Sequence, residues 1–216
     1  MSKEPWGRWT LYRGEMWDLP LAVIRCGPGK VTAAAAAQAA VQYLDPMVLL
    51  SFGVAGCPDP TVPLGSLIVA SSVVDVALTQ LGDLPVTIPT RFKPDELLTR
   101  CLLTVPGTRA APLLCWEGQV ASPVRRPPGL EPGRTAAVDW ESSAVAQVAQ
   151  MWDLPWGAVK IISDHGEEER LRLLALAARR PLQWAGEVVR RACGKYVAER
   201  VSTQEVELPK ELEHED

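Results

Sequence analysis

Hydrophobic positions fall in short runs separated by glycine, proline and acidic residues. Trp9-Thr10-Leu11-Tyr12 and Leu19 to Cys26 flank the polar stretch Arg13-Gly14-Glu15-Met16-Trp17-Asp18. That pattern predicts a strand pair joined by a loose turn. Cys26-Gly27-Pro28-Gly29-Lys30 breaks the second run, and an alanine-rich helix is expected over Thr32 to Leu44, stopped by Asp45-Pro46. Met47 to Phe52 is apolar and leads into Gly53-Val54-Ala55-Gly56, which reads as a buried strand entering a tight turn. Strand, helix and strand in this order predict a βαβ unit.

Farther along, Gly65 to Val74 reads as a strand. Leu81 to Pro89 reads as a loop and edge segment, because Pro85 and Pro89 cannot sit in a central ladder. Lys93-Pro94-Asp95-Glu96 carries helix-start signals, a proline followed by acids in the first turn. Pro112 to Ser122 predicts a strand pair or one long bent strand, and the proline- and glycine-rich Arg125 to Arg134 a surface loop. Ala136 to Trp140 is then a strand, Glu141 to Trp152 a helix and Trp156 to Ile162 a buried strand. Glu167 to Glu199 reads as helix broken near Pro181, which cannot continue an internal hydrogen-bond ladder. The expectation is one α/β domain over residues 1–201 and an acidic, flexible tail over residues 202–216.

Composition narrows the function classes. Of the 216 residues, 47% are hydrophobic, enough to fill a core. A net charge of −4 lacks the basic footprint of a nucleic-acid binder, and Arg125-Arg126 and Arg179-Arg180 are isolated pairs. The five cysteines are odd in number and scattered, which fits a reducing cytoplasm better than a disulfide framework. With only two histidines, a His- or Cys-rich zinc site is not expected. No apolar run reaches the roughly 18 residues of a membrane span, and Met1 to Arg13 has no signal-peptide core. Neither metal, cofactor, nucleic acid nor membrane is anticipated.

The candidate chemistry is carboxylate chemistry. Asp139 and Glu141 stand two apart where a strand meets a helix, and Asp164 follows Ser163 where the next buried strand ends. Carboxylates at the ends of buried strands are costly unless partnered, so they point to a site, although helix capping explains each of them singly. If the strand ran on through Asp139 and Glu141, the two would face opposite sides and only one could enter a pocket. Lys160, inside the preceding apolar run, would need a carboxylate partner. Gly27-Pro28-Gly29-Lys30 has neither the spacing nor the following Ser or Thr of a phosphate loop, so a tight strand-to-helix turn is the better reading. The small residues of Gly53-Val54-Ala55-Gly56 fit either a crowded turn or a close backbone approach to a planar ligand.

Taken together, Gly27-Pro28-Gly29-Lys30-Val31, Gly53-Val54-Ala55-Gly56, Val138-Asp139-Trp140-Glu141-Ser142 and Ile162-Ser163-Asp164 resemble the nucleoside phosphorylase/nucleosidase superfamily. The resemblance is greatest to the 5′-methylthioadenosine/S-adenosylhomocysteine nucleosidases and runs from about Tyr12 to Arg191. It implies a three-layer α/β/α sandwich with a mixed central sheet, a homodimer, and cleavage of an adenine thionucleoside, with phosphorolysis or plain nucleoside binding as alternatives. By the same resemblance Asp164 protonates or hydrogen-bonds the purine, Glu141 holds the ribose hydroxyls, and Trp140 lies beneath the ribose. Ala55, Val120 and Ser163 complete the substrate contacts, with Asp139, Lys160, Val54 and Gly56 in support.

Departures from the family pattern bear on the nucleophile. Trp140 stands where the family has methionine, Val54 where it has serine near the water, and Lys160 where it has arginine. Relative to the family the chain begins after a first strand and the glutamate that activates water, so both are expected to be missing. Glu15, Asp18 and Glu117 are the alternative acids for that task, and nothing in the sequence places any of them there.

Overall fold

In the computed structural model, residues 1–16, 19–76, 91–117, 136–165, 186 and 189–200 are described. Three antiparallel strands come first: β1 (Ser2–Trp6), β2 (Trp9–Met16) and β3 (Leu19–Arg25), paired in that order. β2 runs straight through the polar stretch expected to form a turn, because every residue from Thr10 to Met16 has a partner on β3. β1 was not foreseen, since its side chains are nearly all exposed and carry no apolar pattern.

Helix α1 (Lys30–Leu44) follows. Its buried residues are Ala33, Ala36, Ala37 and Ala40, one stripe at helical spacing. Small side chains let it lie close on α3 (Ser142–Met151), whose Ala146 and Ala149 join the same core cluster. The helix ends with Asp45 in the left-handed conformation at φ 46°.

The main sheet contains β4 (Leu49–Gly56), β5 (Leu67–Asp75), β6 (Arg91–Phe92), β7 (Thr108–Cys115), β8 (Ala137–Asp139) and β9 (Trp156–Asp164), in the order β6-β5-β7-β8-β4-β9. It is mixed: β5–β7, β7–β8 and β4–β9 are parallel, while β4–β8, β5–β6 and β5–β9 are antiparallel. β5 shares one edge between β6, at Val73 and Val74, and β9, at Leu67 to Val69. That extra pairing curls the sheet until β9 meets β5. β3 and β4 belong to different sheets, so the strands on either side of α1 do not make the expected βαβ unit. β7 starts before Pro112, which sits at a register shift opposite Ser72 where a missing ladder donor is tolerated.

Alternation along the strands sends side chains to two cores. Ile68, Ala70, Ala158 and Ile162 pack with α1 and α3. Leu67, Val69, Val159 and Ile161 pack with α2 (Glu96–Leu103) and with Ala192 and Tyr196 of the helical residues 189–200. Helices therefore cover both faces of a mixed sheet, the α/β architecture expected. Asp95 caps α2 by accepting from the Leu98 amide at 2.7 Å. Fully buried Phe92, Leu98, Leu102 and Leu113 each contribute about 1.5–3 kcal/mol of burial free energy. The predicted loops over Leu81 to Pro89 and Arg125 to Arg134, most of the helix after Glu167, and the tail over 202–216 lie outside the described residues. No helix among the described residues is long and apolar enough to cross a membrane.

Candidate active site

β4 and β9 run side by side and end together. A register shift after Ala55 sets Gly56 opposite Asp164. The expected turn at Gly53 to Gly56 is instead the last half of β4, held in strand form by this pairing. The glycine is needed for space, because a Cβ at position 56 would lie 3.0 Å from Asp164 Oδ1. The Asp164 carboxylate is buried. Ser163 Oγ lies 2.8 Å from Asp164 Oδ2 and 3.3 Å from the Ala55 carbonyl oxygen. The strand ends are further tied by the Cys57 amide, which donates to the Asp164 carbonyl at 2.8 Å. His165, half-buried in the bend after β9, sits with its Nδ1 2.9 Å from the Cys57 carbonyl oxygen.

The second acid comes from the β8–α3 junction. β8 ends at Asp139, so Asp139 and Glu141 are not strand neighbours and are free to act in different directions. Asp139 Oδ2 accepts from the Ser142 amide at 3.0 Å, from Ser142 Oγ at 2.5 Å and from Lys160 Nζ at 2.9 Å. Its Oδ1 is buried with no hydrogen-bond partner among the described residues. Lys160 thus has the carboxylate partner its burial demands, with Glu141 Oε2 as a second acid at 4.0 Å. Burial works against the ammonium, but the attraction of Asp139 and then of Glu141 holds the Lys160 pKa above the ordinary lysine value.

Glu141 reaches back to the start of α1, where its Oε1 accepts from the Gly29 amide at 2.9 Å. Burial pushes its pKa up, and this outweighs the opposing pull of Lys160 and of the Gly29 amide. Gly29 has φ +99°, a conformation that favours glycine and that aims its N–H away from the helix axis toward Glu141. The next amide, Lys30, donates to Glu117 Oε1 at 2.9 Å. Two protein carboxylates therefore occupy the positive end of α1, which accounts for a phosphate-loop-like sequence that is only a tight turn.

In the β4–β9 register Gly53 faces Lys160 and Gly56 faces Asp164. Lys160 and Asp164 stand four residues apart on β9, about 13 Å along the strand, so the two corners lie at different heights of one strand pair. Between the corners, Trp140 is half-buried and Val54 and Ala55 belong to β4. Val120 lies outside the described residues.

Three participants escaped the sequence reading. Lys30 Nζ pairs with Asp75 Oδ1 at 2.9 Å, and Ser143 Oγ donates to Asp75 Oδ2 at 2.6 Å. This second chain of charges ties α1, β5 and α3 behind Glu141. Asp75 carries the same signal as Asp164, an acid at the end of an apolar strand, and could have been found by it. Cys115 lies buried beside this chain, its thiol pushed up to about 12 by burial and then by the Asp139 charge. Among the described residues no group of three or more His, Cys, Asp and Glu side chains could hold a metal ion.

With this geometry in place, the comparisons with known proteins agree with one another. The 5′-methylthioadenosine/S-adenosylhomocysteine nucleosidase of Haemophilus ducreyi is 27% identical over 168 residues, 71% of each chain. A crystal structure of such a nucleosidase from Colwellia psychrerythraea, in complex with adenine, has the same fold: TM-score 0.77 at 20% identity, covering 90% of this chain and 86% of that one. Futalosine hydrolase of Helicobacter pylori has it too, with TM-score 0.75 at 20% identity over 92% and 88% of the chains. The family described as the Phosphorylase superfamily matches residues 2–193. The chain belongs to the phosphorylase superfamily.

Proposed function

We propose that this protein is a purine nucleosidase that hydrolyses the N-ribosidic bond of an adenine thionucleoside such as 5′-methylthioadenosine or S-adenosylhomocysteine. The observation that carries the reading is the pair of separately anchored carboxylates, Glu141 against Gly29 and Lys160, and Asp164 against Gly56 and Ser163. Glu141 accepts from both ribose hydroxyls, a task for an ionised carboxylate. Asp164 donates a proton to the purine as the C1′–N9 bond breaks and the ribose gains oxocarbenium character. Ser163 has one proton for two acceptors. That proton is shared between Asp164 Oδ2 at 2.8 Å and the Ala55 carbonyl at 3.3 Å, which fixes the orientation of the Asp164 carboxyl group.

Ala55, Trp140 and Val120 complete the pocket in this reading, and Asp139 and Lys160 hold Glu141 in place. Hydrolysis is favoured over phosphorolysis because the positive end of α1 already carries Glu117 and Glu141, which repel an incoming phosphate. The protein acts as a homodimer in the reducing cytoplasm. Light scattering is expected to give twice the 23.5 kDa of the chain.

The test is adenine release from 5′-methylthioadenosine and S-adenosylhomocysteine, followed by chromatography with and without phosphate. Asp164→Asn is expected to abolish release while nucleoside still raises the melting temperature. Unchanged turnover in that variant removes Asp164 from the chemistry. Binding without turnover in the wild type marks a nucleoside-binding relative, and no binding at all refutes both readings.

A further inference from the structure

Hydrolysis needs a base on the water as well as an acid on the leaving group, and the two act from opposite faces of the sugar. Asp164 supplies one wall, at the end of β9. The other acids near Glu141 are already engaged: Asp139 with Ser142 and Lys160, and Asp75 with Lys30 and Ser143. Glu117 differs. It follows the end of β7, and its carboxylate reaches the start of α1 beside Glu141 rather than the end of β9, where Asp164 sits.

Its anchoring is specific. Glu117 Oε1 accepts from the Lys30 amide at 2.9 Å, and Glu141 Oε1 from the adjacent Gly29 amide at the same distance. Neighbouring backbone nitrogens are roughly 3 Å apart, so the two carboxylate oxygens cannot be more than about 9 Å from each other. A ribose held by Glu141 therefore lies within reach of Glu117. Glu117 lies directly against the turn at Gly29, with Oε1 3.4 Å from where a Cβ on that glycine would stand. Glu117 is exposed, and its Oε2 makes no hydrogen bond or ion pair among the described residues, so bulk water can reach it.

We propose that Glu117 is the general base that activates the attacking water. The inference rests on the nucleosidase reading. Glu117 Oε2 takes a proton from water as the water oxygen bonds to C1′, the C1′–N9 bond breaks, and the departing purine takes its proton from Asp164. One nucleoside and one water give one ribose product and one free base, with no net change in protons.

Glu117→Gln separates base from helix cap, because the amide oxygen still accepts from the Lys30 N–H. The expected result is a kcat lower by about 10²–10⁴, a KM and melting temperature close to wild type, and loss of the acidic limb of the kcat–pH profile. Glu117→Ala should lose the same activity and regain part of it in formate, a small carboxylate that fits the vacated space. Wild-type turnover in Glu117→Gln, with its pH limb intact, overturns the inference and leaves the nucleosidase reading standing. A wild-type chain that binds nucleoside without releasing base overturns both.

Discussion

Lys160→Met is the most informative perturbation, because one buried cation serves two carboxylates. Lys160 and Asp139 have side chains only 1% and 0% exposed. Removing the ammonium leaves the Asp139 charge in the interior with Ser142 as its remaining donor and Oδ1 without a partner. Breaking a buried pair by deleting one member costs about 3–5 kcal/mol. The two surviving Ser142 hydrogen bonds place the expected loss near the lower figure, about 3 kcal/mol. Methionine fills most of the lysine's volume, so the loss is not a cavity effect.

Function should respond as well. Lys160 holds the Glu141 pKa down against burial, so without it that pKa rises further. The assay pairs urea denaturation, followed by tryptophan fluorescence and circular dichroism together, with nucleoside affinity measured against pH. The expected outcome is a lower denaturation midpoint with unchanged slope, and an affinity that begins to fail at higher pH than in wild type. Lys160→Arg keeps the charge and should retain most of both properties. A Lys160→Met protein destabilised by less than about 1 kcal/mol, with an unshifted affinity profile, would refute the account of Lys160 as the charge that holds this corner.

Two further outcomes follow from the geometry. Gly56→Ala places a Cβ 3.0 Å from Asp164 Oδ1 in a buried strand; overpacking of this kind costs about 1–3 kcal/mol, and the displaced carboxylate should lower kcat more than it raises KM. Equal kcat in that variant would show that Asp164 tolerates displacement. For wild type, the raised Glu141 pKa works in opposite directions on stability and binding. Its contribution to stability is full below the ordinary carboxylate value of 4.5 and is lost as pH rises through the folded value. Binding needs the ionised form, so affinity should fall as pH drops, starting above 4.5. Calorimetric titrations from pH 7.5 downward check this, and a flat affinity to pH 4.5 would count against Glu141 as the ribose clamp.

Local pattern sufficed for much of the fold. The alanine stripe of α1, the proline and acid start of α2, and the apolar runs of β5, β8 and β9 are set by short-range propensity and periodicity. The acids at strand ends were legible for the same reason, since an ionisable group interrupting an apolar run is visible without a structure. Only tertiary contacts decided the rest. β2 continues through a polar stretch because β3 pairs with it, and Gly53 to Gly56 stays extended because β9 pairs with it. Which amide Glu141 accepts from, which carboxylate Lys30 meets, and that Glu117 shares the start of α1 all depend on residues 45 to 112 positions apart in the chain. Sequence spacing carries no record of such meetings. They exist because burial makes an unpaired charge expensive, and the fold selects the partner that removes the cost.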